Sequence, residues 1–228
     1  MKATTAKDMA EEEAIVDQIY EAIIDQRLTP GTKLSESELG KAFKVSRMRA
    51  RRAIFMLADR GLINRQPNKG AFVASPSEKQ ARDIFDMRLL IEPSIAKLAS
   101  ERAKPKDIRL LEKHLKKESA ARAADNRRDS IKLSGQFHTL LAQVVDNEVM
   151  LQVVRDLITQ SSLIIGIYDS AGASACREEE HAELVEAIRT KNGELAHDLM
   201  LEHIHHIRDN IDFDSKTKKS TDIVSLFS

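Results

Sequence analysis

The chain has 228 residues, 42% hydrophobic and 32% charged, with 36 Lys and Arg against 36 Asp and Glu. That length is ample for two domains, and the composition is that of a soluble globular chain. No apolar run approaches the roughly 18–20 residues of a membrane span. The N-terminus MKATTAKDMAEEEA has no apolar signal core, and the lone Cys176 cannot make an internal disulfide, so the expected setting is a reducing cytoplasm with no membrane.

In chain order, Ile15, Ile19, Ile23 and Ile24 recur at helical spacing and predict a helix over about 11–27. Pro30-Gly31 is a turn signal. Ser35 reads as the N-cap of a short helix, SESELGKAF, with Glu38 as its capping-box partner. Lys44-Val45 makes a tight turn, and Ser46 caps a helix over 47–59. On that helix Ala50, Ile54, Leu57 and Ala58 face inward. Gly61 ends it. Leu62–Arg65 and Ala71–Ala74 are short β-prone runs around a Pro-Asn-Lys-Gly turn, a hairpin signal. Three helices and a small hairpin make a winged helix-turn-helix.

Charge is uneven along the chain. Residues 41–70 hold nine basic side chains and one acid, Asp59, a local excess of eight positive charges. Four of them, Arg47, Arg49, Arg51 and Arg52, crowd the start of helix 47–59. In a helix-turn-helix the N-terminal residues of the second helix reach base edges, where arginine bonds guanine in bidentate fashion. Nearby lysines and arginines neutralise phosphates. The turn Asn68-Lys69-Gly70 can approach the backbone or the minor groove.

Ser75-Pro76-Ser77 reads as a linker. Beyond it the sequence predicts helices near 78–102, 105–123, 128–145, 148–169, 176–191 and 194–212, with Pro105 at a first turn and Asn192-Gly193 between the last two. The expected architecture is therefore mainly α. It divides into a winged helix-turn-helix over 9–76, an all-α antiparallel helical bundle over 78–213, and a flexible tail over 214–228.

Three histidines fall on inward faces of the bundle by periodicity. His138 precedes Leu141 and Val145, His181 precedes Leu184, Val185 and Ile188, and His203 lies between Leu199 and Ile207. Separate core histidines explain each one singly. Convergence from three helices would instead make a site, since neutral imidazoles are good zinc or nickel ligands. His114, His197, His205 and His206 read as surface or edge residues. Arg88, four before Glu92, is either half of a surface ion pair or a carboxylate clamp facing the interior. Arg155 is a second candidate for that clamp.

GTKLSESELGKAFKVSRMRARRAIFMLADRGLINRQPNKGAFV resembles the winged helix-turn-helix of the GntR family of bacterial transcription regulators, through Gly31, Leu34, Ser35, Glu36, Leu39, Val45, Ser46, Arg47, Arg51, Ala53, Leu57, Gly61, Leu62, Gly70 and Val73. The resemblance implies DNA contacts from Ser46, Arg47, Arg49 and Arg51, with Lys69 and Gly70 in the wing. Met48-Arg49-Ala50 stands where the family has Thr-Pro-Val, and Arg52 where it has glutamate. Both departures add positive charge, and the expectation is stronger attraction to the DNA backbone, with Arg52 joining the DNA-binding set.

Residues 78–212 resemble the FCD ligand-binding domain of the FadR-like subfamily, in MRLLIEPSIAKLAS, FHTLLAQVVDN and EHAELVEAIRTKNGELAHDLMLEH. That resemblance implies a divalent metal on His138, His181 and His203, plus an aspartate four residues before His138. This chain has Ser134 there, so one charge is missing, and water or an effector carboxylate could fill the position. The alternative is a polar pocket whose histidines bind the effector directly.

The expected protein is a homodimeric repressor. It binds an inverted-repeat operator on double-stranded DNA and is controlled by a small carboxylate metabolite held near Arg88, Ser134 and Arg155. Two rivals stand beside it: a helical metalloenzyme, disfavoured because no inward carboxylate offers a general base, and a carboxylate sensor without sequence-specific DNA recognition.

Overall fold

The computed structural model describes residues 6–168, 179–213 and 223–227. Cys176, the expected start of the helix over 176–191 and most of the tail lie outside them. The described residues divide into two compact units, one built from the N-terminal part with the chain's C-terminal end, the other from Pro76–Ser215.

The N-terminal unit runs α1 (Ala6–Ile24), β1 (Lys33–Leu34), α2 (Glu36–Ala42), α3 (Arg47–Asp59), β2 (Ile63–Gln66) and β3 (Gly70–Val73). Its start signals work as capping chemistry requires. The Ser35 hydroxyl accepts the Glu38 N–H at 3.1 Å, and Ser46 accepts the Arg49 N–H at 3.3 Å. Lys44 takes φ +54°, which closes the turn between α2 and α3, and Gly61 takes φ +71° behind α3. Ile15, Ile19, Ile23, Leu39, Ile54 and Leu57 are buried together with Leu62 and Val73. The inward face of α3 is Ala50, Ala53, Ile54 and Leu57, while Ala58 is only half-buried. The hairpin pairs Ile63 with Val73 and Arg65 with Ala71. β1, a two-residue strand that no sequence signal marks, joins it to give the antiparallel order β1-β3-β2.

The tail differs from expectation. Ile223–Phe227 forms a short helix, α10, against α2, with Ile223 buried and the Phe227 ring 4.9 Å from that of Phe43. The apolar run IVSLF has surface to bury, and the turn after α2 supplies it. Phe227→Ala is expected to cost about 1–2 kcal/mol, below a full core deletion because the ring is half-exposed. It should also speed amide exchange across Glu36–Phe43. Unchanged exchange there would show that the contact does not hold in solution.

The second unit is helical throughout its regular structure: α4 (Glu78–Arg102), α5 (Pro105–Ala123), α6 (Arg127–Val144), α7 (Glu148–Tyr168), α8 (Glu180–Arg189) and α9 (Gly193–Asp209). Ser77 and Gln80 form a capping box on α4, and Asn126 and Asn192 cap α6 and α9. α4 packs against α6, α7, α8 and α9, and α5 bridges α6 and α8. By length and composition α7 could cross a membrane. Its apolar face is instead buried in the bundle, and exposed Arg155 and Asp156 interrupt it. Gly135 lets α6 approach α7, since a Cβ there would lie 2.8 Å from Ile158 Cγ2.

Candidate functional site

Two groupings of charge stand out, one in each unit. On α3, one face carries Arg47, Met48, Arg51 and Phe55. The Arg47 and Arg51 side chains are 76% and 48% exposed, and Met48 and Phe55 are exposed as well. Both arginines bond a single carboxylate: Arg47 Nε donates to Glu36 at 2.8 Å, and Arg51 donates twice, at 2.6 and 3.2 Å. The Arg51 and Arg47 bonds hold the Glu36 carboxyl below its usual range. From β2, the Arg65 guanidinium lies 4.1 Å over the Phe55 ring. Asn68, with φ +62°, and Gly70, with φ +113°, shape the hairpin turn that exposes Lys69.

In the helical unit the three inward histidines meet. His138 on α6, His181 on α8 and His203 on α9 are all buried. Their Nε2 atoms converge, His181 to His203 at 3.1 Å and His203 to His138 at 3.3 Å. Each Nδ1 faces its own glutamate: Glu92 at 2.5 Å from His138, Glu118 at 2.9 Å from His181, and Glu180 at 2.7 Å from His203. Burial raises the glutamates, but their partners outweigh it. Arg88 and His138 keep Glu92 well below the carboxylate range, His114 and His181 bring Glu118 to about 2, and His203 and His206 bring Glu180 to about 2. Burial, with Arg88 beside it, lowers His138 to about 3 against the pull of Glu92, so this imidazole is neutral.

An imidazole that gives Nδ1–H to a carboxylate turns its Nε2 lone pair the other way, and here the three Nε2 atoms point to one region, with Arg88 Nη2 also 3.3 Å from His138 Nε2. Deprotonated Nε2 atoms so placed are a donor set that could hold a metal ion. The spacing also fits. A tetrahedral ion with metal–nitrogen bonds near 2.0–2.1 Å sets its nitrogens about 3.3–3.4 Å apart. In such a site the carboxylates would fix the ring orientation and tautomer of each imidazole.

A cavity opens beside the histidines. Ser130, Ser134, Ser161, Ser162 and Arg122 line it with His138 and His181. The Arg88 guanidinium reaches its wall fully engaged, donating to Glu92 at 2.5 and 3.3 Å and to Ser161 Oγ at 3.1 Å.

The family model for the FCD domain matches residues 83–206, more than half the chain, and the model for bacterial regulatory proteins of the gntR family matches 11–73. The chain is a GntR-family transcriptional regulator with an FCD domain. Among its relatives, the HTH-type transcriptional repressor RspR of Escherichia coli is 27% identical over 190 residues, 83% of each chain. The fold matches the solved E. coli McbR/YncC at TM-score 0.73 and 18% identity, over 86% of this chain and 93% of that one. It also matches a GntR regulator from Rhodococcus sp. RHA1 at TM-score 0.72 and 20% identity, over 88% and 96%. The metalloenzyme reading gives way to a regulator of the FadR-like type.

Against that family background, several expected residues sit elsewhere than foreseen. Arg52 does not face outward with Arg47. It bonds Glu12 of α1 at 3.1 Å, and the Glu12 side chain is only 5% exposed. Arg49 is likewise paired with Glu11 on α1. The extra positive charge is therefore matched inside the unit. Arg155 is exposed on α7 and does not line the cavity, so it is no clamp for a ligand there. Arg88 forms an ion pair with Glu92, but a buried one and not the surface pair that the i,i+4 spacing suggests. His114 is no surface residue: it is buried, with Nε2 2.8 Å from the Leu133 carbonyl. Inward carboxylates do exist, in Glu92 and Glu118, but histidines occupy both.

Proposed function

We propose that this regulator binds an inverted-repeat operator on double-stranded DNA as a homodimer and represses in the cytoplasm. A small carboxylate metabolite, bound beside a zinc or nickel ion on His138, His181 and His203, relieves that repression. The observation that carries this reading is the convergence of three Nε2 atoms at 3.1 and 3.3 Å beside a cavity lined by serines. When bound, the metal supplies a Lewis-acidic centre that attracts an anionic oxygen.

The chain's own groups divide the remaining work. Glu92, Glu118 and Glu180 orient the ligand rings. Ser134, one turn before His138, lines the cavity with a hydroxyl where the family pattern has a carboxylate, which leaves room for an acidic oxygen from the effector. Arg88 keeps Glu92 ionised. On α3, Ser46 begins the helix whose Arg47 and Arg51 reach base edges, and Lys69 and Gly70 bring the wing to the backbone. Any effect of the effector on operator affinity is matched by an equal effect of operator on effector affinity.

The test is selection of genomic fragments by the purified protein with and without zinc. Enrichment of a short inverted repeat is expected. Uniform recovery under every metal and effector condition would refute sequence-specific binding. Arg47→Ala and Arg51→Ala are each expected to weaken operator binding by about 1–3 kcal/mol, read by anisotropy titration.

A further inference from the structure

The recognition helix carries two sets of arginines with different electrostatic status. Arg47 and Arg51 share one carboxylate, Glu36, so this face keeps net positive charge. On the neighbouring face Arg49, Arg52 and Arg60 each have a glutamate of their own, and those three acids are consecutive on α1: Glu11 for Arg49, Glu12 for Arg52 at 3.1 Å, and Glu13 for Arg60 at 2.6 Å. The helical turn separates the sets. Positions 47 and 51 lie one turn apart on the outward side, whereas 49, 52 and 60 turn toward α1, which packs against α3. Arg49 and Arg52 are also the two departures from the family pattern, and both are answered by acids on α1.

We infer that the Glu11-Glu12-Glu13 run is a specificity device, taking three of the arginines in and after α3 out of contact with phosphate. Sequence-independent attraction to DNA grows with every phosphate neutralised, whereas base readout needs only the few side chains at the helix start. An unmatched cluster would hold the regulator on random DNA. Matching Arg49, Arg52 and Arg60 internally leaves Arg47, Arg51 and the wing to bind, and raises the ratio of operator to random-sequence affinity. The inference rests on the N-terminal unit being an operator-binding domain.

The test is the salt dependence of full-length protein binding to a random-sequence duplex and to the selected operator. Arg47→Gln and Arg51→Gln should each flatten the log–log salt slope by about 0.9. Arg49→Gln and Arg60→Gln should leave it unchanged. The double variant Glu11→Gln/Glu13→Gln removes these acid partners from half-buried Arg49 and exposed Arg60. It should steepen the slope by up to about 1.8, adding roughly a threefold loss of affinity per freed contact across a fourfold rise in salt. It should also tighten random-sequence binding more than operator binding. Glu12 is left intact in these variants because it is buried, and a thermal melt checks that each one folds. A flattened slope for Arg49→Gln equal to that for Arg47→Gln overturns the inference, as does an unchanged slope for the glutamate double variant. Unchanged binding for Arg47→Gln and Arg51→Gln would instead count against the operator-binding reading itself.

Discussion

Arg88→Met is expected to destabilise the helical unit by about 3–5 kcal/mol, the usual cost of removing one partner from a buried ion pair. The Arg88 side chain is 2% exposed and bonds Glu92 and Ser161. Without it, Glu92 is an uncompensated buried carboxylate facing a neutral histidine. It must then either take up a proton, which weakens the Nδ1–H donation that orients that ring, or draw one onto His138, which removes the Nε2 lone pair. At about 2–4 °C per kcal/mol for a unit of this size, the melting temperature should fall by roughly 10 °C. The double variant Arg88→Met/Glu92→Leu removes both charges and should lose much less than the sum of the single changes. Calorimetry on the four proteins of the cycle measures this. A loss under about 1 kcal/mol for Arg88→Met would mean that water or another cation already supports Glu92.

Much of this site was legible, but only its inner half. Imidazole on an otherwise apolar stripe is conspicuous, and helical periodicity alone turns His138, His181 and His203 inward. Their carboxylate partners were hidden. Glu92 follows Arg88 by four and Glu118 follows His114 by four, which on any helix reads as a solvated surface pair. Only the packing of α4 and α5 against helices distant in sequence takes them out of water. Arg52 is a similar case: its position among the arginines that start helix 47–59 puts it with the DNA-binding set, while the acid that it bonds lies forty positions upstream. Local chemistry fared better. Ser35 and Ser46 fix helix starts through their own side chains, so capping is legible without knowing the fold. β1 carries no sequence signal because two residues show no periodicity, and α10 is masked because its five residues follow a lysine-rich stretch that reads as solvated.

Zinc or nickel added to protein stripped by a chelator is expected to raise the melting temperature of the helical unit. A ligand that binds only the folded state at a hundred times its dissociation constant contributes about 2.7 kcal/mol, worth roughly 5–10 °C here. Ala at His138, His181 or His203 should abolish that rise, because two imidazoles without the third cannot enclose the ion. Glu118→Gln should weaken binding about 10–100-fold while leaving it measurable, since the amide can still accept from Nδ1 but carries no charge. Ser134→Asp restores a carboxylate one turn before His138, beside the same cavity. It should tighten metal binding and, by filling the position left for an effector's oxygen, weaken any dependence of operator affinity on added carboxylate. Calorimetric titration with the metal alone reads the first effect, and operator binding across a panel of small acids reads the second. If metal leaves the melting curve and the titration silent, the three histidines are a hydrogen-bonded core cluster, and the effector must be recognised by the serines and Arg122 of the cavity wall instead.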